Sequence, residues 1–138
     1  TLVPAESTAM RPLFRALKAG ELVGITPDQQ PKLGAGLFAP FFGRQALTLT
    51  LIPKLAERSG APVVMAWAEP VPGGFDIVFE DAPAAIGDAD VDVATAAMNA
   101  AVEAVARRRM EWYQWTYKRF SKRLKESGEK NPYFPDCY

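Results

Sequence analysis

The sequence predicts a single α/β domain over residues 1–138, with a mixed sheet flanked by helices and an irregular tail over residues 121–138. Strand-like and helix-like patterns alternate along the chain, which is typical of α/β proteins. The 138 residues suffice for one domain with a buried core, and the hydrophobic fraction of 49% supports such a core.

The N-terminal half is predicted to contain a helix, a buried strand and a second helix. Apolar residues recur every three or four positions within Ala9–Ala19, which predicts the first helix. The unbroken apolar run Leu22–Thr26 predicts a strand buried on both faces, so that Asp28 follows the carboxyl end of a central strand. A helical pattern covers Ala46–Arg58, where Pro53 should cause a kink or mark a later start.

The C-terminal half is predicted to contain a hairpin and the longest helix. Ala61–Ala68 and Phe75–Glu80 are strand-like and are separated by a turn at Pro70–Gly74. A basic, aromatic segment at Met110–Phe120 follows the Ala-rich helix predicted for Val91–Glu111. The predicted buried face of that helix consists of Val93, Ala97, Ala101 and Val105.

Charge is unevenly distributed along a chain whose formal net charge is zero. No Lys or Arg occurs between Ser59 and Ala106, where there are eight acidic residues, whereas Arg107–Lys125 contains eight basic residues and one acid. The basic segment suits an anionic partner such as a phosphate or a membrane surface, and it equally suits a solvated helix face. Overall neutrality gives no reason to expect a nucleic-acid partner.

The composition also excludes several kinds of chemistry. The chain has no His, which removes the commonest general base, most metal sites and the usual Ser or Cys triads. The single Cys137 cannot form an internal disulfide. No apolar run reaches the roughly 18 residues of a membrane span, and no signal peptide opens the chain. We therefore expect neither a bound metal nor a cofactor.

The stretch Thr26–Thr50 concentrates polar groups, glycines and aromatic residues at a passage between secondary-structure elements. Proteins of the α/β class usually place their binding groups at such passages. The pattern therefore indicates a binding site without specifying its ligand. The candidate residues are Asp28, Gln29, Gln30, Lys32, Phe38, Phe41, Phe42, Gly43 and Arg44.

Two sequence blocks follow each other along the chain, and the first of them lies within Thr26–Thr50. The first joins Pro27–Gln30 to Leu37–Gly43 and Ala46–Thr48, and the second joins Glu111–Trp115 to Lys118–Phe120. With the apolar strand between them, these blocks resemble the bacterial lipid A late acyltransferases, the lauroyl and myristoyl transferases of lipopolysaccharide biosynthesis. The second block is similar to the family's closing tryptophan-rich signature, so the resemblance covers nearly the whole chain.

This resemblance implies a fold of the glycerolphosphate-acyltransferase type and an enzyme that transfers a fatty acyl chain from acyl carrier protein to a hydroxyl of a lipid A precursor. The acyl carrier protein thioester is then the donor substrate, and no cofactor is needed. The resemblance also implies a bacterial protein at the cytoplasmic face of the inner membrane. The implied partners are acyl carrier protein, the lipid A precursor and the membrane surface.

The chain departs from the family in one respect. Family catalysis rests on a His, four residues before an Asp or Glu, that acts as base for the acceptor hydroxyl, and this chain has no His. In the family that box and the usual membrane anchor lie upstream of the matching region. We therefore expect the C-terminal portion of a longer enzyme, an incomplete fold that is inactive alone, soluble or peripheral, and open to self-association through exposed sheet edges.

In the family the first block borders the acceptor pocket, so the resemblance implies substrate-binding roles there. Asp28 is expected to orient a positive group or a sugar hydroxyl and to support catalysis; the alternative is a loop residue that bonds its own backbone. Gln29, with Gln30 beside it, is expected to hydrogen-bond a phosphate or an amide. Lys32 and Arg44 are candidates for binding phosphate, and solvated surface charge explains them equally well.

Aromatic residues are expected to form the apolar part of this site. Phe38, Phe41 and Phe42 are candidates for the wall of an acyl-chain groove, and core packing is the alternative. Gly43 is expected to supply a backbone conformation that other residues resist. Thr48 is expected on an exposed edge.

The second block has two interpretations. Trp112, Trp115, Lys118 and Arg119 combine amphipathic aromatics with cations, as expected where a protein meets lipid headgroups or phosphate. The alternative, above all for Trp115, is a structural lock of the terminal segment against the core. The corresponding alternative function is a non-catalytic module that binds anionic membranes or phospholipid, and a nucleic-acid binder using Arg107–Arg123 is a more distant hypothesis.

Overall fold

The computed structural model describes residues 10–128 and 130–133, and these residues form a mixed α/β arrangement. Three α-helices and four strands, together with short 3-10 turns, make up the described part. In chain order the elements are α1 (Met10–Lys18), β1 (Gly36–Phe41), β2 (Arg44–Leu49), α2 (Leu51–Ser59), β3 (Val64–Val71), β4 (Gly74–Asp81) and α3 (Val91–Arg108).

The strands lie in two separate two-stranded antiparallel sheets, β1 with β2 and β3 with β4. The predicted α/β class is therefore confirmed, whereas the predicted single mixed sheet is not what the described residues form. Within the predicted tail, a short 3-10 turn covers Lys125–Ser127. Residue 129 and residues 134–138, including Cys137, lie outside the described residues, as does Ala9 at the predicted start of α1.

The β1–β2 hairpin occupies a stretch predicted to be a loop followed by the first turn of a helix. Its register ends with Phe41 opposite Arg44. The connecting residues Phe42 and Gly43 have φ values of 48° and 72°. Two successive left-handed residues make the tight turn whose twist matches that of antiparallel strands. The expectation that Gly43 supplies an unusual backbone conformation is confirmed.

Helix α2 begins at Leu51, later than the predicted start at Ala46, and Pro53 explains this boundary. Proline is tolerated in the first turn of a helix, where its missing N–H has no helical partner in any case. The residues that were predicted to form the first turn belong to β2 instead, where Leu47 and Thr48 are buried. The prediction that Thr48 lies on an exposed edge is therefore wrong.

The segment Leu22–Thr26 does not form the predicted central strand. Within the described part of the chain it pairs with no strand, and Leu22 is 97% exposed. An extended apolar run becomes a sheet strand only beside a partner that takes its backbone hydrogen bonds. Asp28 consequently lies in a turn between this segment and β1, and not at the end of a central strand.

The β3–β4 hairpin was predicted correctly. Its register runs from Val64 opposite Asp81 to Val71 opposite Gly74. One face, which carries Met65, is turned towards α3 and packs against the core. The opposite face is exposed along its whole length.

Helix α3 buries more residues than any other described element, and its buried face is displaced from the predicted one. Asp90 caps the helix by accepting from the backbone N–H of Asp92 at 2.9 Å, and such caps satisfy otherwise unpaired donors. Val93, predicted to be buried, is 46% exposed. The buried face includes the polar Thr95 and Asn99, which a count of apolar residues overlooks. The residues it buries are Ala94, Thr95, Met98, Asn99, Ala101, Val102 and Ala106.

Candidate functional site

A mostly apolar, open groove of about 260 Å³ lies between β3 and α3. The loop that carries Asp28 lies at the groove, and the aromatic side chains of Trp67, Trp112 and Tyr113 border it. A groove of this composition favours a hydrocarbon ligand with a polar end. Its aliphatic lining is formed by Met65, Val102, Val105 and Ala106.

The Tyr113 hydroxyl and the Asp28 carboxylate lie close enough at the groove to interact. Burial raises the pKa of Tyr113, and the negative charge of Asp28 raises it further. The phenol therefore stays protonated at neutral pH. Together the two side chains give the groove a polar border.

Tyr113 belongs to an aromatic cluster formed by Phe41, Phe42, Tyr113, Trp115 and Phe120. Ring centroids are 4.8 Å apart for Tyr113 and Trp115, and 5.3 Å apart for Phe42 and Trp115, both in edge-to-face geometry. The indole N–H of Trp115 also donates to the backbone oxygen of Met110 at 2.6 Å. These contacts support the structural-lock interpretation of Trp115.

Phe41 and Phe42 of this cluster do not line the groove, and core packing accounts for Phe41. Phe41 is buried with Ala46 and Val102. The backbone N–H of Phe42 donates to Glu103 Oε2 at 2.6 Å, and the Arg107 guanidinium lies 4.9 Å from the Phe42 ring centroid. The Phe42 bond, followed by the Arg107 contact, lowers the pKa of Glu103. Phe41 and Phe42 therefore do not line this groove, whose lining comes mainly from β3 and α3.

Two arginines that line the groove, Arg108 and Arg109, were not among the site residues predicted from the sequence. Arg108 forms a two-point ion pair with Glu80, with both N–O distances 2.6 Å, and stacks 4.9 Å from the Trp67 ring centroid. Arg109 stacks 4.9 Å from the ring centroid of Trp112. The run of three arginines that ends α3, next to a tryptophan, was the sequence signal for this pair.

Arg119, predicted to contact phosphate or membrane, is buried with only 3% of its surface exposed. Its Nη2 donates to Thr48 Oγ1 at 2.8 Å, and its Nη1 donates to the backbone oxygen of Leu47 at 2.5 Å. The guanidinium also lies 5.4 Å from the Phe41 ring centroid, and burial lowers the pKa of Arg119. The prediction of a surface contact is wrong because these acceptors hold Arg119 inside the protein.

Gln30, predicted to contact substrate, instead ties the loop that carries Asp28 to the C-terminal segment. Its backbone N–H donates to the Tyr117 hydroxyl at 2.7 Å, and its Nε2 donates to the backbone oxygen of Arg119. Its Oε1 accepts from Ser121 Oγ at 2.8 Å. These bonds occupy both ends of the amide, so its role in the structure is to position the loop.

The remaining predicted residues lie away from the groove. Gln29 and Lys32 are exposed, and Phe38 is a half-buried residue opposite Leu47 in the β1–β2 hairpin. The Arg44 guanidinium lies 5.9 Å from the ring centroid of Phe120. Substrate contacts remain predictions for Gln29, Lys32, Phe38 and Arg44. The contact of half-buried Lys118 with phosphate or membrane also remains a prediction.

Within residues 10–128 and 130–133, no three His, Cys, Asp or Glu side chains come together in a way that could hold a metal ion. None of the helices in this described part has the length and apolarity needed to cross a membrane.

The described residues thus combine α-helices and β-strands around an apolar groove that Asp28 helps to line. The family model for "Bacterial lipid A biosynthesis acyltransferase" matches residues 1–122. The lipid A biosynthesis lauroyltransferase of Escherichia coli (strain K12) is 30% identical over 117 residues, which cover 83% of this chain and 38% of that relative. The chain belongs to the bacterial lipid A biosynthesis acyltransferase family, and it spans well under half of that curated relative's length.

Proposed function

We propose that this chain forms the acyl-chain groove of an acyltransferase that moves a fatty acyl chain from acyl carrier protein to a hydroxyl of a lipid A precursor. The observation that carries the proposal is the apolar groove between β3 and α3, with Asp28 and Tyr113 among the residues that line it. Family membership supports the reaction class. The same membership supports a glycerolphosphate-acyltransferase type of fold for the whole enzyme and a location at the cytoplasmic face of the inner membrane.

The dimensions of the groove favour the acyl chain over the sugar acceptor as its occupant. Pockets that enclose a drug-sized ligand typically measure roughly 300–1,000 Å³, and this groove measures about 260 Å³. A mostly apolar groove of that size suits a slender hydrocarbon chain and matches a phosphorylated disaccharide less well. Each methylene that leaves water for such a groove contributes about 0.8 kcal/mol of favourable free energy.

Asp28 is proposed to orient the acceptor at the reacting end of the acyl chain. In the transfer, the acceptor oxygen attacks the thioester carbonyl carbon, the carbon–sulfur bond breaks, and the carrier thiol leaves with a proton. A carboxylate at the groove can accept a hydrogen bond from the acceptor and fix its approach, and such positioning accelerates reactions substantially. The base that removes the hydroxyl proton is proposed to lie outside these residues, because the chain has no His.

The arginine pair at the groove is proposed to face the anionic part of a substrate. Arg108 is already paired with Glu80. The Arg109 side chain is more than half exposed, and its Nη1 lies 3.8 Å from Glu111 Oε1. Exposed pairs of this kind are weak, so Arg109 can exchange Glu111 for a phosphate of the lipid A precursor or for an acidic group of acyl carrier protein.

The alternative function, a membrane-binding module formed by the basic, aromatic segment, receives less support. Arg119 is buried, Arg107 bonds Glu103, and Arg108 bonds Glu80. Lys122 Nζ donates to the backbone oxygen of Pro31. Many of the cations that would attract an anionic surface are thus engaged within the protein.

The proposal is tested by substituting Asp28→Asn in the full-length gene product. Transfer of a labelled lauroyl group from acyl carrier protein to a lipid A precursor should fall on the order of a hundredfold, the loss expected when a reacting group is misplaced. Glu57→Gln, at an exposed position of α2, is the matched control and should leave the rate unchanged. The 138-residue chain alone should show no turnover. An Asp28→Asn rate equal to that of the wild type would refute the proposed role.

A further inference from the structure

The exposed face of the β3–β4 hairpin is apolar along its length. Side chains alternate between the two faces of a strand, and the register places large apolar residues of β4 opposite small ones of β3. Phe75, Ile77 and Phe79 are 68%, 59% and 67% exposed. We call this surface the apolar hairpin face; it consists of Val64, Ala66, Ala68, Pro70, Phe75, Ile77 and Phe79.

This face is too large and too apolar to be an ordinary solvated surface. Two phenylalanine side chains at this exposure present on the order of 250 Å² of apolar area, before the other residues are added. Contiguous apolar patches of a few hundred Å² usually mark an interaction site. The two outer edges of the hairpin also lack strand partners within the described residues. An exposed apolar face and unpaired strand edges on the same hairpin together indicate a surface that another layer covers.

The charges around the face argue against a lipid surface as that layer. The region between Ser59 and Ala106 contains no Lys or Arg, and Asp81 lies at the end of the face itself. Anionic membranes attract surfaces that carry several basic residues, and this one carries none. Face-to-face packing of two copies would bring together two faces that each carry Asp81 and no cation, so no opposite charge would favour it. The chemistry therefore favours an apolar protein surface whose rim is neutral or basic.

The match to the curated lauroyltransferase indicates which polypeptide carries such a surface. This chain covers 38% of that relative, so more than half of the relative's length has no counterpart in these 138 residues. We infer that the apolar hairpin face docks against the part of the acyltransferase polypeptide that corresponds to this unmatched portion, whether it is joined to this chain or separate. The inference rests on family membership and on the hairpin, and it does not depend on the proposed role of Asp28.

Photo-crosslinking in the organism that encodes the protein tests this inference directly. The photoreactive amino acid p-benzoylphenylalanine replaces Phe79 in the natural gene, which keeps an aromatic group at an exposed position. Replacement of Phe75 provides a second variant in case the first disturbs the hairpin, and replacement of exposed Glu57 on α2 provides the control. After irradiation, crosslinked peptides are identified by mass spectrometry.

The expected product joins residue 79 or 75 to a peptide that belongs to the same acyltransferase family and lies outside residues 1–138. Its yield should be on the order of tenfold higher than at position 57, because residues within an interface remain in contact with their partner. A dominant crosslink between two copies of the hairpin, to lipid, or to a protein outside the family would overturn the inference. A yield at both hairpin positions no higher than at position 57 would also overturn it.

Discussion

The Tyr113 hydroxyl lies near the Asp28 carboxylate at the groove, although the two residues are far apart in the sequence. Burial of the ring and the charge of Asp28 both raise the pKa of Tyr113. The phenol is therefore protonated at neutral pH, and the negative charge of Asp28 favours that state. This relationship makes a residue of the tryptophan-rich block part of the site around Asp28.

The raised pKa of Tyr113 predicts a loss of stability at alkaline pH. Above about pH 10 a tyrosine in the unfolded chain loses its proton, whereas Tyr113 in the folded chain retains it. The contribution of Tyr113 to the free energy of unfolding is therefore complete below about pH 10 and declines as the pH rises towards its higher folded pKa.

Urea unfolding of the wild type and of Tyr113→Phe at about pH 8 and about pH 11 measures this effect, since each ionisation difference alters stability with pH. The wild type should lose more stability than the variant between the two pH values. An equal loss in the two proteins would contradict the raised pKa.

Replacing Arg119 should destabilise the protein, despite its appearance in a basic surface pattern. Arg119→Lys keeps the charge but cannot reach both Leu47 O and Thr48 Oγ1 with the geometry of a planar fork. Leaving a buried acceptor unsatisfied costs about 1–3 kcal/mol, so the free energy of unfolding should fall by about that amount. Arg58→Lys, at an exposed position, is the control and should have little effect. Equal stability of the two variants would contradict the buried role.

A methyl group at Gly36 should also destabilise the β1–β2 hairpin. A Cβ added there would lie 2.2 Å from the backbone oxygen of Thr48 and 2.6 Å from Pro31 Cγ. Backbone atoms cannot move aside without breaking the strand pairing, so Gly36→Ala should cost about 1–3 kcal/mol, as expected for overpacking. Gly24→Ala, where nothing lies within 4 Å, is the matched control. Thermal unfolding of both variants makes the comparison, and similar midpoints would be evidence against the close approach.

The tight turn at Phe42 should depend on the charge of Glu103. The Phe42 N–H donates to Glu103 Oε2 at 2.6 Å, and bonds to an ionised acceptor are roughly twice as strong as neutral ones. Glu103→Gln should therefore speed amide hydrogen exchange at Phe42 by about tenfold through easier local opening. Glu57→Gln serves as the control. Exchange at Phe42 that is unaffected by Glu103→Gln would show that the turn holds without this bond.

Local sequence patterns were sufficient to predict the elements whose formation does not depend on residues far away in the sequence. Helix α1 and the β3–β4 hairpin follow from periodicity and turn residues, and Pro53 marked the later start of α2. The β1–β2 hairpin was missed because Phe42 occupies a left-handed position that Asn or Gly usually fills. The strand predicted at Leu22–Thr26 failed because pairing depends on a neighbour, which the pattern of one segment cannot specify.

The resemblance to a family identified the loop that carries Asp28. The spacing of residues along the sequence could not show which residues surround that loop. The burial of Arg119 and Asn99 depends on acceptors about fifty to seventy residues away, such as Thr48. Charged and amide side chains are usually placed on the surface by default. A polar network inside the protein is visible only once the partners have been brought together by the fold.

The bonds that Gln30 makes to Tyr117, Arg119 and Ser121 carry a consequence for biosynthesis. A ribosome must release nearly all of the described polypeptide before the loop bearing Asp28 can acquire its final anchor. A message interrupted just after α3 would still encode both hairpins, yet its product would lack every one of these tethers. Residues 117–121 must therefore be synthesised before the loop that carries Asp28 is tethered in its final position.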